Sequence, residues 1–453
     1  MKNYDFIVLG AGSVNEFAFE SAAKGFKVAM IDEGHPGGTC LNRGCIPTKV
    51  MLQSADVAHY AKNGQMYGIN SKIESIDFSV IKNRVNDIVG FWRAKLYEAI
   101  KNSPTLDFYQ HSASFTAEKT LEVGGEKIRG NKIIIGVGMR PFIPQIEGLE
   151  NVDYLTNENI LSLTSLPKSI AILGGGYIGM EFAHFFSALG SKVFVIEMKE
   201  SLLSELDPFL SSEFNKFAAE QMNIFVSSKL ERIEKNGDYL KLHCTNKNDA
   251  FEISAEKLLI ASGRIVNSDK IKPENTGIQT DRRGFIITDE YMRAKADEIW
   301  AAGDCIGTPA FRHTANYQVE ILINNILNGK RIKPDYSITP AAVFTHPEIA
   351  TVGLSEKSAR EKFKNVSVKR LGYFGNAKGK AIGYKGFCTA VINTEDSKIL
   401  GFHIIGPYAS ILIHEILPVM TAGLTFKDIE KTIHIHPALS ELVAWTFSAG
   451  KEV

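Results

Sequence analysis

Apolar residues open the chain as an unbroken run, Phe6-Ile7-Val8-Leu9, then continue with helical spacing to about Lys24, then form a second run from Lys27 to Ile31 that ends on Asp32. Short unbroken apolar runs on either side of a helical period predict two parallel strands joined by a helix, a βαβ unit. The order returns in Ser169-Ile170-Ala171-Ile172-Leu173, a helix to about Leu189, and the strand Lys192-Val193-Phe194-Val195-Ile196, closed by Glu197. Residues 267 to about 338 go back to short strands and a helix, including Trp300-Ala301-Ala302-Gly303-Asp304. From 339 to 453, strand-like runs such as Phe387 to Ile392 alternate with helical ones such as Ile411 to Ala422. No low-complexity linker interrupts the chain, and the repeated element is the βαβ unit itself.

Each unit carries a glycine turn between strand and helix. In the first, Gly10 permits the tight turn, Gly12 lets backbone approach a pyrophosphate, and Asp32 follows 22 residues after Gly10, where it can accept from ribose hydroxyls. In the second, Gly174, Gly176 and Gly179 supply all three glycines of the dinucleotide-binding pattern, and Glu197 follows 23 residues after Gly174. A carboxylate there would repel the 2′-phosphate of NADP and so favours NAD, with Lys199 nearby as a counterweight. One glycine turn alone often joins strand to helix with no ligand, so the weight lies in the repetition. The first loop departs from the pattern: Val14 and Asn15 stand where glycines are usual, and Asn15 puts a side chain where the helix should meet the strand.

Length and composition narrow the partners. With 453 residues, 44% of them hydrophobic, the chain predicts about three domains. Lysine plus arginine equals aspartate plus glutamate, 51 of each, so no net field draws nucleic acid or an anionic membrane. The sequence has neither a membrane-length apolar span nor a signal-like start, and reads as cytoplasmic. Five cysteines are too few for a disulfide scaffold.

Two of them lie close together in Gly37-Gly38-Thr39-Cys40-Leu41-Asn42-Arg43-Gly44-Cys45-Ile46-Pro47-Thr48-Lys49. Four residues with a glycine among them can bring two sulfurs within bonding distance, and a helix N-terminus stabilises a thiolate. On spacing alone a redox pair, half of a metal site, or two buried thiols all remain open. Cys244, Cys305 and Cys388 are scattered singly, which disfavours zinc and reads as packing; no metal is expected.

This segment resembles the active-site signature of the flavin-dependent pyridine nucleotide-disulfide oxidoreductases, and the likeness runs along nearly the whole chain in the family's order. It implies an α/β protein with two Rossmann-like dinucleotide-binding domains plus a C-terminal α+β dimerisation domain. The division it implies is FAD binding by 1–146 and 267–338, NAD binding by 147–266, and a homodimer interface in 339–453. Thr39, Gly138, Gly263, Arg264, Asp304 and Ala315 match cofactor-binding positions, with Asp304 on the flavin ribityl chain and Ala315 beside the flavin. One landmark departs: Gly136-Val137-Gly138-Met139 replaces the family's Ala-Thr-Gly-Ser. The resemblance also gives the sulfurs separate roles, Cys45 as the thiolate against the flavin and Cys40 as the thiol that exchanges with substrate. Lys49 and Glu181 match a pair beside the flavin.

Near the C-terminus, His436-Pro437-Ala438-Leu439-Ser440-Glu441 resembles the family's general base, a histidine oriented by a glutamate and reaching the site of the other subunit. His434 reads as structural. For the substrate, Glu197 favours oxidation of dihydrolipoyl groups on a carrier protein with NAD, as in dihydrolipoyl dehydrogenase. Asn15, the helix from Glu181 to Gly190 and Ile435 to Leu439 instead resemble mycothione reductase, which reduces a low-molecular-weight disulfide. The tail carries no cysteine pair, which argues against reduction of mercury. A flavin-free structural or regulatory homologue is the reading from another class, suggested by Val14, Asn15 and Met139.

Overall fold

The computed structural model describes residues 1–453. β1 (Lys2–Leu9), α1 (Asn15–Ala23) and β2 (Val28–Ile31) form the first βαβ unit; two further helices, α2 (Gly38–Arg43) and α3 (Cys45–Asn63), carry the cysteines. After α4 (Phe78–Lys101) come β3 (Leu106–Tyr109), the hairpin β4 (Ala113–Ala117) and β5 (Thr120–Val123), β6 (Glu126–Ile135) and β7 (Met139–Pro141). The first sheet runs β3-β2-β1-β6-β5-β4, parallel from β3 to β6, with the hairpin antiparallel at its edge. Much later the chain returns to it: Ile299–Ala301 pairs in parallel with Ile133–Ile135 at the end of β6.

The unbroken apolar run of β1 is explained by this placement. Phe6 and Val8 pack with Phe17 and Ala18 of α1 on one face, while Ile7 and Leu9 pack into a second core on the other. A strand covered on both faces has no polar side to show, so its sequence loses the two-residue alternation.

The second unit repeats the design with β8 (Ser169–Leu173), α5 (Tyr177–Leu189), β9 (Lys192–Ile196), α6 (Pro208–Ala219) and β10 (Asn223–Phe225). An antiparallel meander of β11 (Lys229–Asn236), β12 (Tyr239–Thr245) and β13 (Ala250–Ala255) leads into β14 (Lys257–Ile260), which joins a parallel sheet of order β10-β9-β8-β14. β15 (Arg264–Val266) then pairs with β7, and β16 (Ile299–Ala301) is the strand that re-enters the first sheet, followed by α7 (Arg312–Leu322). The remainder builds a six-stranded antiparallel sheet whose core includes Phe402, Leu442 and Phe447. No helix is long and apolar enough to cross a membrane.

Two details differ from the sequence reading. The run from Ile411 to Ala422 is not one helix but Ala409–Leu412, a 3-10 turn Ile413–Glu415, and Ile416–Thr421. Pro418 explains the break, because it lacks an N–H and its ring crowds the carbonyl one turn back, at His414. In the first βαβ unit the helix starts late. α5 begins three residues after Gly174, but α1 begins five after Gly10 and opens with 3-10 bonds, Asn15 N to Gly12 O and Glu16 N to Ser13 O at 3.3 Å each. A Cβ on Gly179 would lie 2.0 Å from Gly174 O, so a side chain cannot stand there in a tightly wound start. Asn15 occupies the equivalent place, and the delayed start makes room for it.

Candidate active site

One cavity of about 1320 Å³ runs from the first glycine loop to the cysteine pair. It exceeds the roughly 300–1,000 Å³ of sites for drug-sized ligands. Gly10, Gly12, Asp32, Thr39, Cys40, Cys45, Lys49, Gly138, Glu181, Arg264, Asp304 and Ala315 all line it. At the loop end, a Cβ built on Gly12 would meet nothing within 4 Å, while one on Gly38 would lie 2.6 Å from Gly12 Cα. Two stretches of bare backbone thus meet beside open space, the cradle a pyrophosphate requires. Asp32 shapes this loop by accepting from Ala11 N at 2.7 Å and Gly34 N at 2.8 Å. Glu197 accepts from Gly175 N at 2.7 Å in the same way, so each carboxylate braces its own glycine loop. An elongated channel with a cradle at one end and a dithiol at the other fits FAD.

The cysteines are placed by a break between helices. Cys40 lies within α2, Gly44 interrupts, and Cys45 is the first residue of the 19-residue α3. A Cβ on Gly44 would come 2.9 Å from Thr39 O, so the reversal is too tight for any side chain. Asn42 holds the loop from within, its amide donating to His35 O, Pro36 O and Gly38 O at 3.0–3.2 Å and its Oδ1 accepting from Arg93 Nε at 3.0 Å. Both thiols are free. They are unequal: a hydrogen bond from Cys40, then the charge of Lys49, push Cys45 down to about 6 against the pull of burial. The same hydrogen bond to Cys45, together with burial, drives the Cys40 thiol well above its ordinary value. At neutral pH Cys45 is therefore the thiolate and Cys40 keeps the proton.

Lys49 stands one turn along α3 from Cys45 and gives Nζ to both oxygens of Glu181, at 2.6 and 2.7 Å. Glu181 is buried on α5 and also accepts from Phe344 N at 3.2 Å, while Lys49 Nζ sits 4.5 Å above the Phe344 ring. Three distant segments thus lock beside the dithiol. Arg264 links three more: Nη1 donates to Asp304 Oδ2 at 2.6 Å and Nη2 to Met139 O at 3.2 Å. Gln318, fully buried on α7, accepts from Gly303 N at 2.6 Å and sets the turn that carries Asp304. Cys244, Cys305 and Cys388 are buried, and burial pushes each thiol up to about 12.

Other expected residues lie elsewhere. Gly174, Gly176, Gly179 and Glu197 are at the mouth of the second parallel sheet and off the cavity, although Tyr177 and Ile178 of α5 reach its wall. Gly263 is also off the wall; its carbonyl accepts from Phe142 N at 3.0 Å. His436 and Glu441 do not line the cavity of their own chain. Glu441 Oε1 accepts a hydrogen bond from His436 Nδ1–H at 2.9 Å, which leaves Nε2 free to accept. Its other oxygen accepts from Ala438 N at 3.0 Å and Asn376 Nδ2 at 3.2 Å. The bond from His436, then that from Ala438, hold the Glu441 carboxyl below its usual range. His434 is tied to Glu415 at 2.5 Å. The sequence reading did not single out Gln318, because no local pattern marks it: it matters through the Gly303 amide, 15 positions earlier, whose hydrogen bond its side chain accepts.

A dithiol with one stabilised thiolate, set at the end of a dinucleotide channel between two nucleotide-binding sheets, defines a flavoprotein disulfide reductase. The chain belongs to the pyridine nucleotide-disulphide oxidoreductase family: that family's model matches residues 4–318, and its dimerisation domain matches 339–447. Members use FAD and a pyridine nucleotide, and the dimerisation domain implies a homodimer. The chain is 33% identical to a mercuric reductase of Lysinibacillus sphaericus, over 98% of this chain and 83% of that one. It is 34% identical to a dihydrolipoyl dehydrogenase of Chlamydia muridarum (98% and 96% covered) and 32% identical to a mycothione reductase of Mycobacterium tuberculosis (98% of both). Among solved structures, the HOCl-induced flavoprotein disulfide reductase RclA from Escherichia coli superposes with a TM-score of 0.89 at 28% identity, covering 98% of this chain and all of that one.

Proposed function

We propose that this protein is an NAD-linked dithiol/disulfide oxidoreductase that oxidises dihydrolipoyl groups, with Cys40 exchanging with substrate and Cys45 passing the electron pair on. The inequality of the two thiols carries this reading: a stabilised thiolate beside Lys49 suits electron transfer, and a protonated partner suits exchange. Glu197 supports NAD, since a carboxylate braced at the end of β9 repels a 2′-phosphate. The division into 1–146 with 267–338, 147–266, and 339–453 follows the same reading.

In the oxidative direction, the substrate dithiol loses a proton to Nε2 of His436 of the partner subunit, and its sulfur attacks Cys40 in the Cys40–Cys45 disulfide. The S–S bond breaks, Cys45 leaves as a thiolate held by Lys49, and a mixed disulfide joins Cys40 to substrate. The second substrate thiol then attacks the substrate sulfur held in the mixed disulfide and expels Cys40, its proton passing to the departing Cys40 sulfur, while the first proton stays on Nε2 of the partner subunit's His436 until solvent takes it. The substrate is then a disulfide, and the electron pair resides on the enzyme's two sulfurs. FAD, for which Gly12, Gly38, Asp32, Lys49, Asp304 and Ala315 form the fitting wall, supplies the acceptor for that pair when bound, and NAD its outlet. Reversal of the sulfur steps gives a reductase of small disulfides, the second reading, which the likeness to a mycothione reductase over 98% of both chains favours.

The test is a steady-state assay of the purified protein with NAD and dihydrolipoamide, set against NADH or NADPH with a panel of small disulfides. Fast NAD reduction is the expected result; turnover of one small disulfide with little lipoamide activity would reverse the assigned direction. A colourless protein that takes up no added FAD would favour the flavin-free homologue.

A further inference from the structure

The segment between the cysteines is gripped from the second half of the fold. Leu155 runs alongside β14, its N donating to Leu258 O and its O accepting from Ile260 N, both at 2.8 Å, so the residues that follow hang from the edge of the second parallel sheet. Asn159 closes a turn there: Oδ1 accepts from Thr156 N at 2.6 Å and Nδ2 donates to Tyr154 O at 3.2 Å. Asn157, inside the turn and half-buried, reaches outward, and its Nδ2 donates to Arg43 O at 3.0 Å. Arg43 is the last residue of α2, where carbonyls have no partner within the helix, and Gly44 and Cys45 follow it directly.

The other holds on this segment are local or come from α4. Asn42 donates to the carbonyls of His35, Pro36 and Gly38, Arg93 braces Asn42, and Thr48 Oγ1 donates to Gly44 O at 2.7 Å. Glu158 adds only an ion pair, 3.4 Å from Arg43 Nε between partly exposed side chains, and such pairs contribute little. Asn157 therefore supplies the hydrogen bond that fixes the Cys45 end of the loop to the second sheet. Geometry matters here because a disulfide forms only with its sulfurs about 2 Å apart and its Cβ atoms roughly 3.5–4.5 Å apart. Holding two groups in reacting geometry raises their effective concentration, so a looser loop favours mixed disulfides with outside thiols over the internal bond.

We propose that Asn157 is a positioning residue for the dithiol: by holding Arg43 O it fixes Gly44 and Cys45 against the second sheet, so that Cys45 stays in reach of Cys40 while Cys40 exchanges with substrate. The inference rests on the redox role of the cysteine pair given above, and it holds for any substrate and for either direction of electron flow. Lys49–Glu181 secures α3 one turn further on, whereas Asn157 acts on the loop between the two sulfurs.

The test is the thiol–disulfide equilibrium of the purified protein in glutathione buffers, read by quenching and mass measurement. Oxidised glutathione first forms a mixed disulfide with Cys40 and releases one glutathione thiol; the Cys45 thiolate then attacks the Cys40 sulfur, forms the internal bond and expels the second glutathione. The constant for that closing step should fall about threefold to tenfold in Asn157→Ala, as loss of one hydrogen bond implies, and the Cys40–glutathione adduct should accumulate. Asn157→Leu keeps the volume and loses only the donors, so it should show the same fall even if the smaller residue upsets folding; Asn157→Gln, which keeps a donor, should recover part of it. Glu158→Gln should leave the closing constant unchanged. A lower melting temperature with an unchanged closing constant in Asn157→Ala and Asn157→Leu would make Asn157 merely structural and overturn the proposal, as would an equal fall in Glu158→Gln. A wild type in which Cys40 and Cys45 never form the internal bond would overturn the redox reading of the pair, and this proposal with it.

Discussion

The branch of Val14 fills the space that a side chain on residue 136 would need: a Cβ built on Gly136 would lie 2.5 and 2.6 Å from the two methyl carbons of Val14. Val14 is 2% exposed at the cap of α1, so its methyls cannot swing aside. Two departures that look independent in the sequence, Val14 in the first glycine loop and Gly136 where the family has alanine, are one packing solution.

A coupling measurement checks this. Gly136→Ala should destabilise the protein by about 1–3 kcal/mol through overpacking. Combining it with Val14→Ala should cost clearly less than the sum of the single changes, seen as a favourable coupling of about 1 kcal/mol in urea unfolding. Additive losses would show that the two positions do not share this space.

The thiolate at Cys45 predicts a pH dependence with a definite sign. Its reactive form is lost as pH falls through the folded value, so alkylation of Cys45 in the reduced protein should be half-maximal near pH 6. Replacement by Lys49→Met should move that midpoint upward, because the ammonium favours the thiolate. Cys45→Ser should abolish turnover.

The Lys49–Glu181 pair couples α3 to α5. Glu181 is buried whereas the Lys49 side chain is 36% exposed, so breaking the pair should cost less than in a fully buried one. We expect Glu181→Ala to lose about 1–3 kcal/mol of unfolding free energy and Lys49→Met/Glu181→Met to lose less, since the double change leaves no unpaired charge. A double variant less stable than Glu181→Ala would contradict this.

The base can be tested by mixing subunits. His436→Gln should lower turnover by roughly 10² to 10⁴. Refolding inactive Cys40→Ser chains with His436→Gln chains should restore activity, because one site of the mixed dimer then has intact cysteines facing an intact histidine. Base and cysteines acting within one chain would give no recovery.

Much of the site was legible because its chemistry is local. The two glycine loops, the cysteine pair and the histidine five residues before Glu441 each lie within one short segment, where spacing alone limits the geometry. The late start of α1 was less so: Asn15 signalled a disturbance, but whether loop or helix would yield depended on the strands packed behind both.

By itself, the sequence determined the parallel strands, the turns that join them and the candidate dithiol, since short-range sterics and hydrophobic periodicity act between neighbours in the chain. Only the tertiary structure decided that Gly136 answers Val14, that Phe344 closes over Lys49, and that Ile299–Ala301 completes the first sheet. These depend on residues more than a hundred positions apart, and burial and Coulomb energies respond to distance in space, which sequence order does not encode.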